Sequence, residues 1–227
     1  ALHLLSAMAG ASVECDTVTY NAAISACESG GHWDVALSLL GAMLEAGIER
    51  DIITISASIS VCETGGQWSV ALSLLDDMHA AHIKGDCITY SAAIGACGKR
   101  GQWTAALDIL SSMLADKAKT DAMAHNAAIS ACEREGQWAI AIHLLGAMGE
   151  VGVQRDTVSF NAAISACEKG GQWSVALSLL GDMWGAEVGR DIITYNAAIS
   201  ACKNGGEWAQ ALLLLSLMVQ DKVEMNT

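Results

Sequence analysis

The sequence predicts an all-α chain, built as an α-solenoid of stacked helix-turn-helix repeats. Three observations predict it. The phrase Asn-Ala-Ala-Ile-Ser-Ala-Cys begins at Asn21, Asn126, Asn161 and Asn196, with looser copies from Ser56 and Ser91. A Trp follows each copy at one spacing (Trp33, Trp68, Trp103, Trp138, Trp173, Trp208), and an Asp precedes each (Asp16, Asp51, Asp86, Asp121, Asp156, Asp191). Every step is 35 residues, without insertion or deletion. A fixed period in this range marks an array of stacked units.

The unit 157–191 serves for all. Val158, Phe160, Ala163, Ile164 and Cys167 recur at helical spacing and predict a first helix. Gly170-Gly171 ends it, because Gly takes the left-handed conformation of a C-terminal cap. A second helix runs from Trp173 through Ala176, Leu177, Leu179, Leu180 and Met183, and fades into a looser turn at Gly185–Gly189. Asp191 closes the unit where the next helix needs an N-cap. Each helix is about three turns long and marginal alone, so stability must come from packing on neighbours. Ala pairs such as Ala162-Ala163 allow close approach of helices, and the Trp is expected to plug the gap between them. Pro is absent, which leaves the turns to Gly.

The period sets the organisation. Residues 1–16 match the second half of a unit, and repeats follow at 17–51, 52–86, 87–121, 122–156, 157–191 and 192–226. The chain therefore reads as a section of a longer array. No apolar run approaches the roughly 20 residues of a membrane span, and no segment reads as a signal peptide or Arg-rich leader. Six of the eight Cys share one repeat position, without the close spacing of a metal or redox motif. They read as small buried thiols. His79 and His82 lie three apart without recurring carboxylate or Cys neighbours, so no metal site and no cofactor are expected. No nucleophile–base pair, phosphate loop or catalytic carboxylate pair stands out, and no enzymatic activity is expected.

The opening Val-Thr-Tyr-Asn, the Gly turn, the Ala-Leu-x-Leu-Leu-x-x-Met of the second helix and the closing Asp together resemble the pentatricopeptide repeat, whose unit has the same length. The tetratricopeptide repeat fits less well: its Trp lies in the first helix, it carries a Pro near the end, and it is shorter by one residue. One departure is that the Pro usual before the closing Asp is replaced by Arg50, Gly85, Thr120, Arg155 and Arg190.

The resemblance implies a right-handed α-α superhelix that binds single-stranded RNA, one base per repeat. It places base recognition on the fifth residue of a repeat and its last: Asn21 with Asp51, Ser56 with Asp86, Ser91 with Asp121, Asn126 with Asp156, Asn161 with Asp191, and Asn196 with Asn226. It places an apolar base sandwich on the second residue: Val18, Ile53, Ile88, Met123, Val158 and Ile193. By the family's pairing the implied word is U-G-G-U-U-pyrimidine, 5′ to 3′. Lys99, Arg134 and Lys169 are candidate phosphate contacts, and Arg50, Arg155 and Arg190 would add positive charge beside the closing Asp. Each position has a plainer reading as well. The apolar second residues could be core, and the Asp could be a helix cap alone.

The resemblance further implies a mitochondrial or plastid address and a role in RNA processing, stability, editing or translation. Other proteins of an RNA-processing complex are expected partners, while DNA and membranes are not. A formal charge of −13 opposes nucleic-acid binding and keeps a second reading open, a protein-interaction scaffold of helical repeats.

Overall fold

The computed structural model describes residues 16–116, 118 and 120–221. Among the described residues there are twelve α-helices and no strand. In order they are α1 (Thr17–Ser25), α2 (Trp33–Glu45), α3 (Ile52–Gly65), α4 (Trp68–Ala80), α5 (Cys87–Gly98), α6 (Trp103–Ala115), α7 (Ala122–Arg134), α8 (Trp138–Glu150), α9 (Thr157–Lys169), α10 (Trp173–Gly185), α11 (Ile192–Asn204) and α12 (Trp208–Gln220). A short 3-10 turn, Glu28–Gly30, follows α1. No described helix is long and apolar enough to cross a membrane.

Two compact units divide the chain. One holds residues to Arg100 and from Thr104 to Lys119; the other holds Gly101–Trp103 and the residues from Thr120. In the first, α1, α3 and α5 stack side by side, with α2 packing on α1 and α3, and α4 on α3 and α5. In the second, α7, α9 and α11 stack in the same way, with α8 between α7 and α9, and α10 between α9 and α11.

The odd-numbered helices are covered from several sides, so their burial is broad. Helix α3 buries Thr54, Ile55, Ser58, Ile59, Val61 and Cys62. The even-numbered helices bury one stripe at three-and-four spacing, as in Ala176, Leu179, Leu180 and Met183 of α10. Burying each such Leu or Met contributes about 1.5–3 kcal/mol. That burial is what holds helices of only thirteen residues in place.

The tight turn places a left-handed Gly at one repeat position, Gly31, Gly66, Gly101, Gly136, Gly171 and Gly206. After α3, Gly66 adopts φ +65°, the Gln67 amide donates to the Cys62 carbonyl at 2.8 Å and the Gly66 amide to Glu63 at 3.1 Å. This pattern satisfies carbonyls the helix leaves open, and it needs a residue without a Cβ penalty. The Trp at the next helix start faces the following repeat, not only its own helix pair. A Cβ built on Gly170 would lie 2.5 Å from Trp138 Cδ1, and one on Gly205 would lie 2.3 Å from Trp173 Cδ1. The indole therefore seals the joint between successive repeats.

Candidate nucleic-acid interface

The interface starts from the six Asp residues. Each stands in extended backbone immediately before an odd-numbered helix and accepts the backbone N–H three residues on. Those bonds run from 2.8 Å at Thr54 to 3.1 Å at Ala124. The cap reading of the Asp is thus true, and such caps contribute about 1 kcal/mol each.

The cap does not exhaust the carboxylate. Asn21 Nδ2 donates to Asp51 Oδ1 at 3.1 Å, Asn161 Nδ2 to Asp191 Oδ1 at 3.0 Å, and Asn126 Nδ2 to both Asp156 oxygens at 3.2 Å. The fifth and last residues of these repeats are therefore one hydrogen-bonded group. At Asp51 and Asp191 the Thr54 and Thr194 hydroxyls also reach Oδ1. The Asn and Thr donors to both carboxylates all fall on Oδ1. Burial pushes the Asp51 carboxyl up, but hydrogen bonds from Thr54 and Asn21 outweigh it and leave it below the ordinary carboxylate value. Asp191 is held low by the same balance, with Thr194 and Asn161 as donors.

The fifth residues are less open than a groove-facing position leads one to expect. Asn21 is 8% exposed, Ser91 5% and Asn161 8%; Ser56 and Asn126 are half-buried and Asn196 is exposed. For Asn21 and Asn161 the cover is the closing Asp of the same repeat and the Thr of the next. Asn226, the proposed partner of Asn196, lies outside the described residues, as do Cys15 and residues 1–15 generally.

The second residues settle in the opposite sense from core. Val18, Ile53, Ile88, Met123, Val158 and Ile193 are all exposed, from 71% at Val18 to 52% at Met123. Val158 thus leaves the apolar set of its helix, while Phe160, Ala163, Ile164 and Cys167 are buried as expected, with Ala162 and Ala166 beside them. Between two of these aliphatic residues lies a cleft of about 280 Å³, lined by Ile53 and Ile88 with Ser56 and Asp86 beside them. One apolar wall from each of two repeats and one polar pair share this single space.

The positive charges go elsewhere. Lys99 Nζ donates to the Glu63 carbonyl at 3.1 Å and lies 3.5 Å from its carboxylate; Lys169 Nζ donates to Glu133 Oε1 at 2.9 Å. These candidate phosphate contacts are tied to the acidic residue of the preceding repeat. Arg134 is exposed. The expectation that Arg50, Arg155 and Arg190 charge the groove needs correction. Arg50 lies 3.8 Å from Asp77 of α4, and Arg155 reaches the Gly146 carbonyl of α8 at 3.5 Å. Arg190 bonds Asp221 at 2.9 Å and stacks 3.8 Å from the Trp184 ring centre. An extended residue sends its side chain to the side opposite its neighbour. Each Arg therefore serves the even-numbered helices while the adjacent Asp serves the odd ones.

Among the described residues no group of three or more His, Cys, Asp or Glu is placed to hold a metal. His79 instead meets the Tyr90 hydroxyl at 2.9 Å and Asp116 at 3.3 Å. The repeat-position thiols are buried, and burial pushes Cys62, Cys97, Cys132 and Cys167 up to about 11.

Sequence reasoning missed the Thr of the third position. Thr54 Oγ1 donates to Asn21 Oδ1 and Thr194 Oγ1 to Asn161 Oδ1, both at 2.6 Å. The recurring Thr two residues before Asn or Ser was visible in the sequence, yet its partner lies 33 residues away.

Comparison with known proteins places this geometry. The chain is similar to the pentatricopeptide repeat protein PPR10 from maize, with 26% identity and a TM-score of 0.74 over 99% of this chain and 32% of that one. It thus spans about a third of the maize protein. It also resembles PPR10 in complex with an 18-nt psaJ RNA element, at 21% identity and a TM-score of 0.52 over 98% of this chain and 38% of that one. A third likeness is to the PPR domain of Arabidopsis thaliana protein-only RNase P 1 in complex with tRNA, at 15% identity and a TM-score of 0.64, covering 74% and 89% of the two chains. No curated protein matches the chain. The profile described as the pentatricopeptide repeat domain matches residues 38–100 and 108–170, and that described as the PPR repeat matches 18–48, 88–117, 158–188 and 193–223. The chain belongs to the pentatricopeptide repeat family.

Proposed function

We propose that this chain binds single-stranded RNA and reads one base per repeat through the fifth and last residues. The observation that carries the reading is the set of six exposed aliphatic side chains at the second position, each three residues before the fifth. Exposed aliphatic groups at a constant step are costly in water unless something flat and apolar covers them. Successive bases do so, and the adjacent amide, hydroxyl and carboxylate groups can then bond the base edges. The maize relative's complex with an RNA element supports the same reading.

The word proposed is U-G-G-U-U-pyrimidine. Affinity from these residues is weak and falls with salt, because Lys99 and Lys169 are already paired with Glu63 and Glu133. Action in a mitochondrion or plastid, on processing, stability, editing or translation of a transcript, is proposed from family membership alone. Any chemistry on the transcript comes from a partner or a further domain.

The test is binding of U-G-G-U-U-C RNA against a scrambled RNA and the DNA equivalent, at two salt concentrations. Preference for the matched RNA is expected, and it should invert toward U-U-U-U-U-C after Ser56→Asn with Ser91→Asn. Equal binding of all three, or none at low salt, would overturn the reading in favour of a protein-binding scaffold.

A further inference from the structure

We infer that, where a repeat carries Asn at its fifth position and Asp at its last, the third residue of the following repeat sets how sharply that Asn-bearing repeat distinguishes uracil from cytosine. This rests on the base-reading role proposed above. Repeats that share the same Asn and Asp differ in what surrounds the amide.

In the pairs Asn21–Asp51 and Asn161–Asp191 the amide is locked. Its Nδ2 donates to the carboxylate, and its Oδ1 accepts from the buried hydroxyl of Thr54 or Thr194. A carboxylate only accepts, so turning the amide over would set two acceptor oxygens face to face and leave the single Thr hydrogen, now shared between the Asn and Asp oxygens, to the carboxylate alone. What remains for a base is the second N–H of the Asn, a donor, and Oδ2 of the Asp, an acceptor. The edge of uracil offers an acceptor, O4, beside a donor, N3–H. Cytosine offers the reverse, an amino donor beside an N3 acceptor, and meets like groups at both points.

The pair Asn126–Asp156 lacks the lock. The third residue of the next repeat is Ser159, and its hydroxyl turns to its own helix start. It accepts from the Asp156 amide at 2.9 Å and donates to the Asp156 carbonyl at 2.7 Å. Asn126 Oδ1 is left buried with no hydrogen-bond partner among the described residues. Both Asp156 oxygens lie 3.2 Å from Asn126 Nδ2, so the carboxylate also lacks a wholly free acceptor. An amide with an unclaimed oxygen gains by turning that oxygen toward a donor, and for Asn126 the turn gives up only the 3.2 Å contacts to Asp156 and no Thr hydrogen bond. The amino group of cytosine supplies one. Repeat 122–156 therefore accepts both pyrimidines, while 17–51 and 157–191 demand uracil. Thr54 and Thr194 are positioning residues: they act on the base through the Asn.

The experiment compares RNAs of the matched word carrying cytosine at one site at a time. Cytosine opposite 17–51 or 157–191 should weaken binding about ten-fold, and opposite 122–156 by less than about two-fold. Ser159→Thr should raise the uracil preference at its site toward ten-fold, and Thr194→Val should flatten it at the neighbouring one. The score is the uracil-to-cytosine ratio, which a general loss of stability does not shift, and the wild-type comparison needs no variant. Equal ratios at all three sites, with matched RNA still preferred over scrambled, would overturn the role of the third residue and leave base reading intact. No preference over scrambled RNA would overturn both.

Discussion

Asn161 reaches the closing residue of its own repeat, Asp191, and its Nδ2 meets the same oxygen, Oδ1, that takes the backbone amide of Thr194 in the next repeat at 2.9 Å. One atom thus caps the start of a helix and holds a recognition side chain. Stability and binding are coupled at that atom, and four expectations follow from this and the related contacts.

Asp191→Ala removes both the cap and the Asn161 anchor. It should lower unfolding free energy by about 1–2 kcal/mol. Asp191→Asn keeps a capping oxygen and should cost less than half as much. Denaturant melts of the two variants check the order, and an equal loss would mean that the negative charge, not the capping oxygen, dominates.

Acid should weaken the fold through the same carboxylates. Asp51 and Asp191 titrate below the ordinary Asp value of 3.8. A carboxylate with a lowered native value stabilises fully above its unfolded value and loses that contribution as pH falls through the native one. Melting temperature should therefore change little through these groups near neutrality and drop on acidification below about pH 4. The drop should shrink in Asp191→Asn, read by circular dichroism across pH.

Tyr195 bonds the Asp221 carboxylate, which Arg190 also holds. Burial and the nearby carboxylate push the phenol up to about 12. Tyr195→Phe should cost about 1–2 kcal/mol, since hydrogen bonds to charged partners are the stronger kind. Tyr20→Phe is the internal control, because Ala46 stands where Asp221 does, and it should be neutral within about 0.5 kcal/mol. Thermal melts of the pair decide it.

Gly205→Ala should destabilise by about 1–3 kcal/mol, as its Cβ would enter the Trp173 ring. Gly181→Ala, with open space around it inside α10, should instead stabilise by about 0.5–1 kcal/mol. Opposite signs in the two melts are the expected result.

Much of this was legible in the chain. Gly170-Gly171 marked a turn, and Ala176, Leu179, Leu180 and Met183 marked a buried stripe, because local spacing fixes which side of a helix faces inward. Val158 was ambiguous, since spacing alone does not say whether a first-turn aliphatic faces a neighbour or solvent. Arg50 misled because adjacency in sequence with Asp51 is not adjacency in space where the backbone is extended, φ −106° and ψ 179° at Asp51. The Thr54–Asn21 bond was out of reach, because it depends on how two units lie against each other.

Because the carboxylate that completes one letter also starts the helix that carries the next, no unit is a self-contained cassette. Recoding a position by changing its final residue alters how firmly the following hairpin is anchored. Rewriting the word one letter at a time should leave a cumulative trace in the melting curve even where every new letter is read correctly.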